Sequence, residues 1–187
     1  MDLYHLVLFA HIAGAVVLLS FGFVMPLLGR RIARTATVQG MREWVEGTYK
    51  YGKMGPPAAV AVLLSGVYMT LNAHSFGQGW ITVSLVLFVL AGGIAGGILD
   101  PHFAKVLEAA ENTPDGPVPP ELRAMATDAK TANFESLMFG FDVAILFNMT
   151  NKPGWTGALI ATAVGLLIAG AIIARSRARA ATPAVAA

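Results

Sequence analysis

Residues 131–155, TANFESLMFGFDVAILFNMTNKPGW, contain an apolar run at 137–149 that falls short of the roughly 20 residues a helix needs to cross a bilayer, and Asp142 lies in the middle of it. An ionisable side chain at that depth costs on the order of 2.5–3.5 kcal/mol on insertion scales, so it has to face protein or water rather than lipid. The segment is therefore expected to form an interior wall, with other helices arranged around it.

Composition supplies those helices. The chain of 187 residues is 56% hydrophobic and 13% charged, with a mean hydropathy of +0.64, the balance of an all-α polytopic membrane protein. A net charge of +2 and a pI near 9.1 would fit a nucleic-acid binder, but the basic residues flank apolar runs, so they read as topology signals and no nucleic-acid partner is expected. With no cysteine, disulfides and thiolate metal sites are excluded. Asp2 stands where a secretory leader would carry positive charge, so the first apolar run is expected to be retained as a span.

Spans are expected at about 5–28, 56–73, 80–99, 133–151 and 154–175, within a single domain covering 1–187. The first ends at Arg30, Arg31 and Arg34. Residues 37–54 mix Trp44, Tyr49 and Tyr51 with Arg42, Lys50 and Lys53, which suits either an interfacial helix or an ordinary connecting one. Pro56 and Pro57 open the second span. The third contains AGGIAGG, which stacks Gly92 on Gly96 and Gly93 on Gly97 and predicts a close helix neighbour. Asp100 and Pro101 interrupt it, and 100–132 read as a cytoplasmic helical extension with a proline-rich loop. Ala161, Gly165 and Ala169 give the last span a second small-residue face, and the chain beyond Arg175 reads as a frayed tail.

Charge sets the orientation. If all five segments cross, every lysine and arginine except Lys152 falls on one side, which the positive-inside rule makes cytoplasmic, with the N-terminus outside and the C-terminus inside. Without a crossing at 133–151 that segregation is lost. A multi-pass protein of the bacterial inner membrane is expected.

Asp128, Glu135, Asp142 and Met149 recur every seven residues and so lie along one slowly drifting helix face. Such a file of acids could carry protons or hold a cation; alternatively Asp128 and Glu135 are surface acids paired with Lys50 or Lys53, and only Asp142 is unusual. Counting at 1.5 Å per residue from the outer helix ends puts His11 and Asp142 in one layer, with Ser65 near it. A hydrogen bond between His11 and Asp142 is the resulting expectation. His5, His11 and His74 lie toward the outer side and are candidate axial ligands for haem b, although a lone intramembrane histidine is also a common packing residue. Met25, Met54, Met69, Met138 and Met149 could ligate copper, or simply fill the core.

The motifs LFAHIAGAVVLLSFGF, LLSGVYMTL and FNMTNKPGW resemble those of a domain-of-unknown-function family of predicted bacterial integral membrane proteins. More distantly, the first-span histidine and the Met-x-x-Lys-Pro ending are similar to the copper-resistance D and HemJ-type membrane proteins. The latter resemblance implies haem binding and porphyrinogen oxidation, with His11 as the matching histidine.

Three functions are compatible with these features. The first is a small binding or redox-linked module holding haem or another lipophilic ligand in the periplasmic half, with His11, Asp142, Glu135 and Ser65 as ligand- or proton-active candidates. The second is an accessory subunit or homo-oligomer, joined through the Gly92, Gly96, Gly93, Gly97 and Ala161, Gly165, Ala169 faces. The third is a proton- or cation-coupled transporter.

Because the chain lacks cysteine, topology can be read with single introduced thiols. An impermeant maleimide applied from outside is expected to label Gln78→Cys and to leave Asn112→Cys and Ser176→Cys unlabelled. Labelling of both Gln78→Cys and Ser176→Cys would remove the crossing at 133–151.

Overall fold

Helix α1, Leu3–Arg34, begins where the Asp2 carboxylate accepts the Tyr4 N–H and ends where Thr35 turns to an extended conformation. Its 32 residues make a rod of about 48 Å, well beyond the roughly 30 Å of a hydrocarbon core, so its basic end projects past the membrane. The computed structural model describes residues 2–73 and 75–181; His74 lies outside the described residues.

Helices α2, Val38–Gly52, and α3, Gly55–Asn72, follow α1 back along its whole length, separated from each other by a tight two-residue turn. Arg31 lies over the Trp44 ring at 5.2 Å, Ser20 Oγ is 2.6 Å from Tyr51 Oη, and a Cβ on Gly14 would collide with Val62 at 2.8 Å. Pro56 and Pro57 sit in the first turn of α3, where their missing N–H groups cost nothing.

Helix α4, Gly79–Ile94, does not stop at Asp100 and Pro101 as expected. It passes through a π-helical turn, Ala95–Leu99, directly into α5, Asp100–Glu111. A proline ring at 101 would clash with the carbonyl four residues back in a regular helix; the wider turn, with the Asp100 N–H reaching the Ala95 carbonyl, relieves that clash without breaking the rod.

The best-packed core lies at the basic end. Ile32, Val38, Met41, Val45, Val106, Ala110 and Leu122 form one buried cluster, drawn from α1, α2, α5 and α6, Pro120–Ala126. Protein therefore covers the apolar face of α2, the segment read as either an interfacial or a connecting helix. Arg42 donates to the Ala110 and Thr113 carbonyls at 3.2 Å and pairs with Asp115 at 3.4 Å. Val38 N–H to Gly116 O and Val118 N–H to Ala36 O tie the proline-rich loop to the start of α2.

Helix α7, Ala129–Asn151, starts at Asp128, whose carboxylate accepts the Thr131 N–H at 3.0 Å and is held below the usual carboxylate range by that bond. It packs along α8, Trp155–Ala181, and also against α4 and α1. Gly140 and Gly165 meet backbone to backbone: a Cβ on either would overlap the other's carbonyl oxygen. Ala161 and Ala169 are buried on the same face of α8.

Two expectations about small residues are corrected here. The Ala161, Gly165, Ala169 face is not free for a partner, because α7 fills it. Gly92, Gly93, Gly96 and Gly97 have no close helix neighbour among the described residues, for a Cβ on any of them would meet nothing within 4 Å. Helix α8 also runs on to Ala181 rather than fraying after Arg175, and residues 182–187 lie outside the described residues.

Among the described residues four stretches are long and apolar enough to cross a membrane: Leu3–Arg34, Val38–Asn72, Gly79–Glu111 and Trp155–Ala178. Phe9, Val16, Leu64, Val89 and Leu167, each more than half exposed, present their outer faces to lipid. The protein is thus an all-helical, multi-pass membrane protein. Helix α7 falls outside that set because of its acids and amides, and it is the helix enclosed by neighbours on three sides.

Gly140→Val and Gly165→Val are each expected to lower thermal stability in detergent by about 1–3 kcal/mol or more through overpacking. Gly93→Ala, on an open face, should raise it by roughly 0.5–1 kcal/mol through helix propensity. Circular dichroism melts of the three variants check both.

Candidate functional site

Helix α3 packs extensively only on α1, and α4 only on its own continuation, α7 and α8, so the two layers part on one side of the bundle. A cavity of ≈ 380 Å³ fills the cleft. It lies toward the basic end, and its walls are largely apolar: Leu18, Phe21 and Met25 from α1, Phe88 and Ala91 from α4, Met138 and Ile145 from α7. Glycines give it room. Gly92 and Gly96 leave the α4 wall open, and Gly22 lets α7 approach so closely that a Cβ there would stand 3.0 Å from Asp142 Oδ2.

Asp142 and Glu135 both open into this space. They are two turns apart on α7, about 10.5 Å along its axis, and neither makes a hydrogen bond or ion pair among the described residues. Asp128 does not extend the file, because it is occupied as the N-cap of α7. Lys50 and Lys53, the expected partners of these acids, are engaged elsewhere, with Glu46 at 2.5 Å and Asp100 at 2.7 Å.

The Lys53–Asp100 pair stands at the mouth of the cavity, with the Lys53 ammonium 4.4 Å from the Tyr49 ring centroid. It joins the two helix irregularities, the turn between α2 and α3 and the end of the π-helical turn. Sequence reading missed this pair; it marked only Asp100 and Pro101 as an interruption of the third span.

His11 does not meet Asp142. Its Nδ1 donates to the Val62 carbonyl at 3.0 Å and lies 3.1 Å from Ser65 Oγ, with the ring edge against Gly66. Ser65 in turn donates to the Ala61 carbonyl. This cluster ties α1 to α3 and contributes nothing to the cavity wall. The depth count failed because it took all outer helix ends as level: Gly22, not His11, lies beside Asp142, about 16 Å further along α1.

The residues do not fit a haem in this cavity. No histidine lines it, His5 is exposed beside Asp2, His102 is on α5, and His74 lies outside the described residues. Among the described residues no group of three His, Asp or Glu side chains could hold a metal. Of the methionines, Met25 and Met138 line the cavity as apolar wall.

One further polar site was not legible in the sequence. Asn148 and Ser84 are both fully buried where α7 meets α4, and neither the Asn148 amide nor the Ser84 hydroxyl has a partner among the described residues. Elsewhere helical hydroxyls such as Thr48, Thr70 and Thr162 donate to the carbonyl four residues back.

Asp142→Asn is expected to stabilise the protein by about 1–3 kcal/mol, since it removes an unpartnered carboxylate from an apolar setting. His11→Ala should destabilise it by roughly 0.6–2 kcal/mol through loss of the α1–α3 tie. In the double variant the two effects should add to within about 0.5 kcal/mol. Strong coupling would restore the direct pair.

No curated protein and no solved structure matches the chain. A family model does match, over residues 5–153, which takes in α1 through α7 and leaves α8 outside. Its description is that of a membrane protein, in agreement with the apolar helices above, and the chain belongs to the DUF2269 family of predicted integral membrane proteins.

Proposed function

We propose that this protein is a five-span module of the bacterial inner membrane, N-terminus outside and C-terminus cytoplasmic, that binds a lipophilic ligand carrying a positively charged nitrogen. The single observation that carries this reading is the pair of carboxylates, Asp142 and Glu135, without partners among the described residues, opening into a largely apolar cavity of ≈ 380 Å³ whose other charged lining is the mutually paired Lys53 and Asp100. A carboxylate removed from water without a partner costs several kcal/mol, and a cationic ligand offsets that cost while its apolar body fills the rest of the space. Phe21, Phe88 and Phe103 on the walls add ring faces that favour a cation. The segregation of basic residues supports the orientation, and the enclosure of α7 by α1, α4 and α8 supports the fifth crossing. Haem has no support from the cavity, which offers it no histidine, and the proposed ligand site is in the cytoplasmic rather than the periplasmic half.

A second reading, an accessory subunit of a larger assembly, has one observation of its own. Gly93, at the end of α4, and Gly97, in the π-helical turn, are exposed and do not line the cavity, so another membrane helix could approach them closely. Stoichiometric co-purification of another membrane protein would favour it.

Tetraphenylphosphonium and tetraphenylborate have the same shape and opposite charge, which makes them a direct test. The purified protein is expected to bind the cation at least tenfold more tightly than the anion, and Asp142→Asn with Glu135→Gln should abolish the difference. Equal binding of the two ions, or a preference unchanged in the double variant, would overturn the proposal. A histidine-dependent Soret band on titration with haem would restore the haem reading.

A further inference from the structure

The last turn of α1 has more positive charge than its own structure uses. Helix C-termini attract arginine because their final carbonyls lack partners, but here three of the last four are supplied by other groups. Thr35 donates its hydroxyl to Arg31 O at 2.9 Å and its N–H to Ile32 O at 3.1 Å. Arg123, reaching over from α6, donates to Ala33 O at 2.6 Å and Thr35 O at 2.9 Å. Arg31 and Arg34 are left over. Neither makes a hydrogen bond or ion pair among the described residues, whereas nearby Arg42, Lys50 and Lys53 are each paired with a carboxylate.

These two guanidinium groups are three residues apart on one face of α1, and with Thr35 and Trp44 they line a concavity of ≈ 250 Å³. The Trp44 ring, 5.2 Å from Arg31, is 38% exposed, an amphipathic side chain of the kind enriched where membrane meets water. The same face of α1 continues toward the membrane as Leu27 and Phe23, which are 59% and 64% exposed. Positive charge, an interfacial indole and a strip of exposed apolar surface thus follow one another along a single helix face.

We infer that Arg31, Arg34 and Trp44 form a binding site for the phosphate headgroup of an anionic phospholipid, whose acyl chain lies along Leu27 and Phe23. Phosphate is recognised by guanidinium donors, which bind its oxygens in pairs. A free phosphate ion would satisfy the same donors, but the adjoining Leu27 and Phe23 strip gives a reason for a lipid. The site is separate from the α7 cavity and does not depend on what that cavity binds.

The test uses Trp44 as a local reporter. With Trp80→Phe and Trp155→Phe in the full chain, the remaining tryptophan is Trp44. In detergent, phosphatidylglycerol with brominated acyl chains is expected to quench its fluorescence at concentrations about 30-fold lower than brominated phosphatidylcholine, roughly fivefold for each arginine. Arg31→Gln with Arg34→Gln should bring the two lipids level, whereas Arg175→Gln with Arg177→Gln, exposed on α8, should leave the preference unchanged. Equal quenching by the two lipids in the starting protein overturns the inference without recourse to any arginine variant. An equal loss with the α8 pair would also overturn it, by assigning the effect to diffuse surface charge. Displacement of the brominated phosphatidylglycerol by millimolar inorganic phosphate would reassign the site to a free anion and overturn the lipid assignment.

Discussion

The backbone contact between Gly140 and Gly165 fixes what the rest of the bundle can do. Lipid offers no hydrophobic drive for helices to associate, so two membrane helices hold together by close packing, and here two absent side chains bring the backbones of α7 and α8 into touch. That closeness draws α7 inward. Once it is inside, its acids and amides are shielded from lipid, and α1 and α4 are left to cover its other sides. At Gly22 a third missing side chain lets α1 lie directly against Asp142, while α3, carried on α1, remains apart from α4. The cleft follows from which helices touch, and the missing side chains of Gly92 and Gly96 widen it.

Beyond the membrane the chain uses a different physics. The cap of α2, α5 and α6 around the end of α1 buries Ile32, Met41, Val45 and Val106 as a water-soluble domain would, and it closes its loops with arginine bonds to backbone carbonyls. Arg42 and Arg123 thereby become structural, and Arg31 and Arg34 do not. A sequence reading that counts basic residues for topology treats all four alike; only the destination of each side chain separates them.

Much of the architecture was legible in the residues. The apolar runs gave the helices, Pro56 and Pro57 gave the start of α3, and the small residues Ala161, Gly165 and Ala169 marked a tight helix contact, though its partner turned out to be α7 within the chain. Asp142 on a short apolar run correctly implied an interior position. What failed was anything depending on register between helices. The pairing of His11 with Asp142 rested on level helix ends, whereas α1 and α3 extend further than α7 at that end. The AGGIAGG run looked like a packing face, but in this chain it opens a cavity wall on one side and meets no helix on the other. The Lys53–Asp100 pair joins residues far apart in sequence and could not be found without the fold.

The π-helical turn at Ala95–Leu99 has a further consequence for how the two halves of the molecule are joined. A turn with one residue more than usual rotates everything beyond it by about 100° relative to a continuous α-helix. The membrane half of this rod faces α7 and α8, and the half outside faces α2 and α6. A regular helix of the same sequence would turn the outer half about 100° away from the facing it has toward α2 and α6. The extra residue is therefore a phase correction: it lets one unbroken helix serve two cores that lie in different directions, and it does so beside Asp100, at the mouth of the acidic cavity.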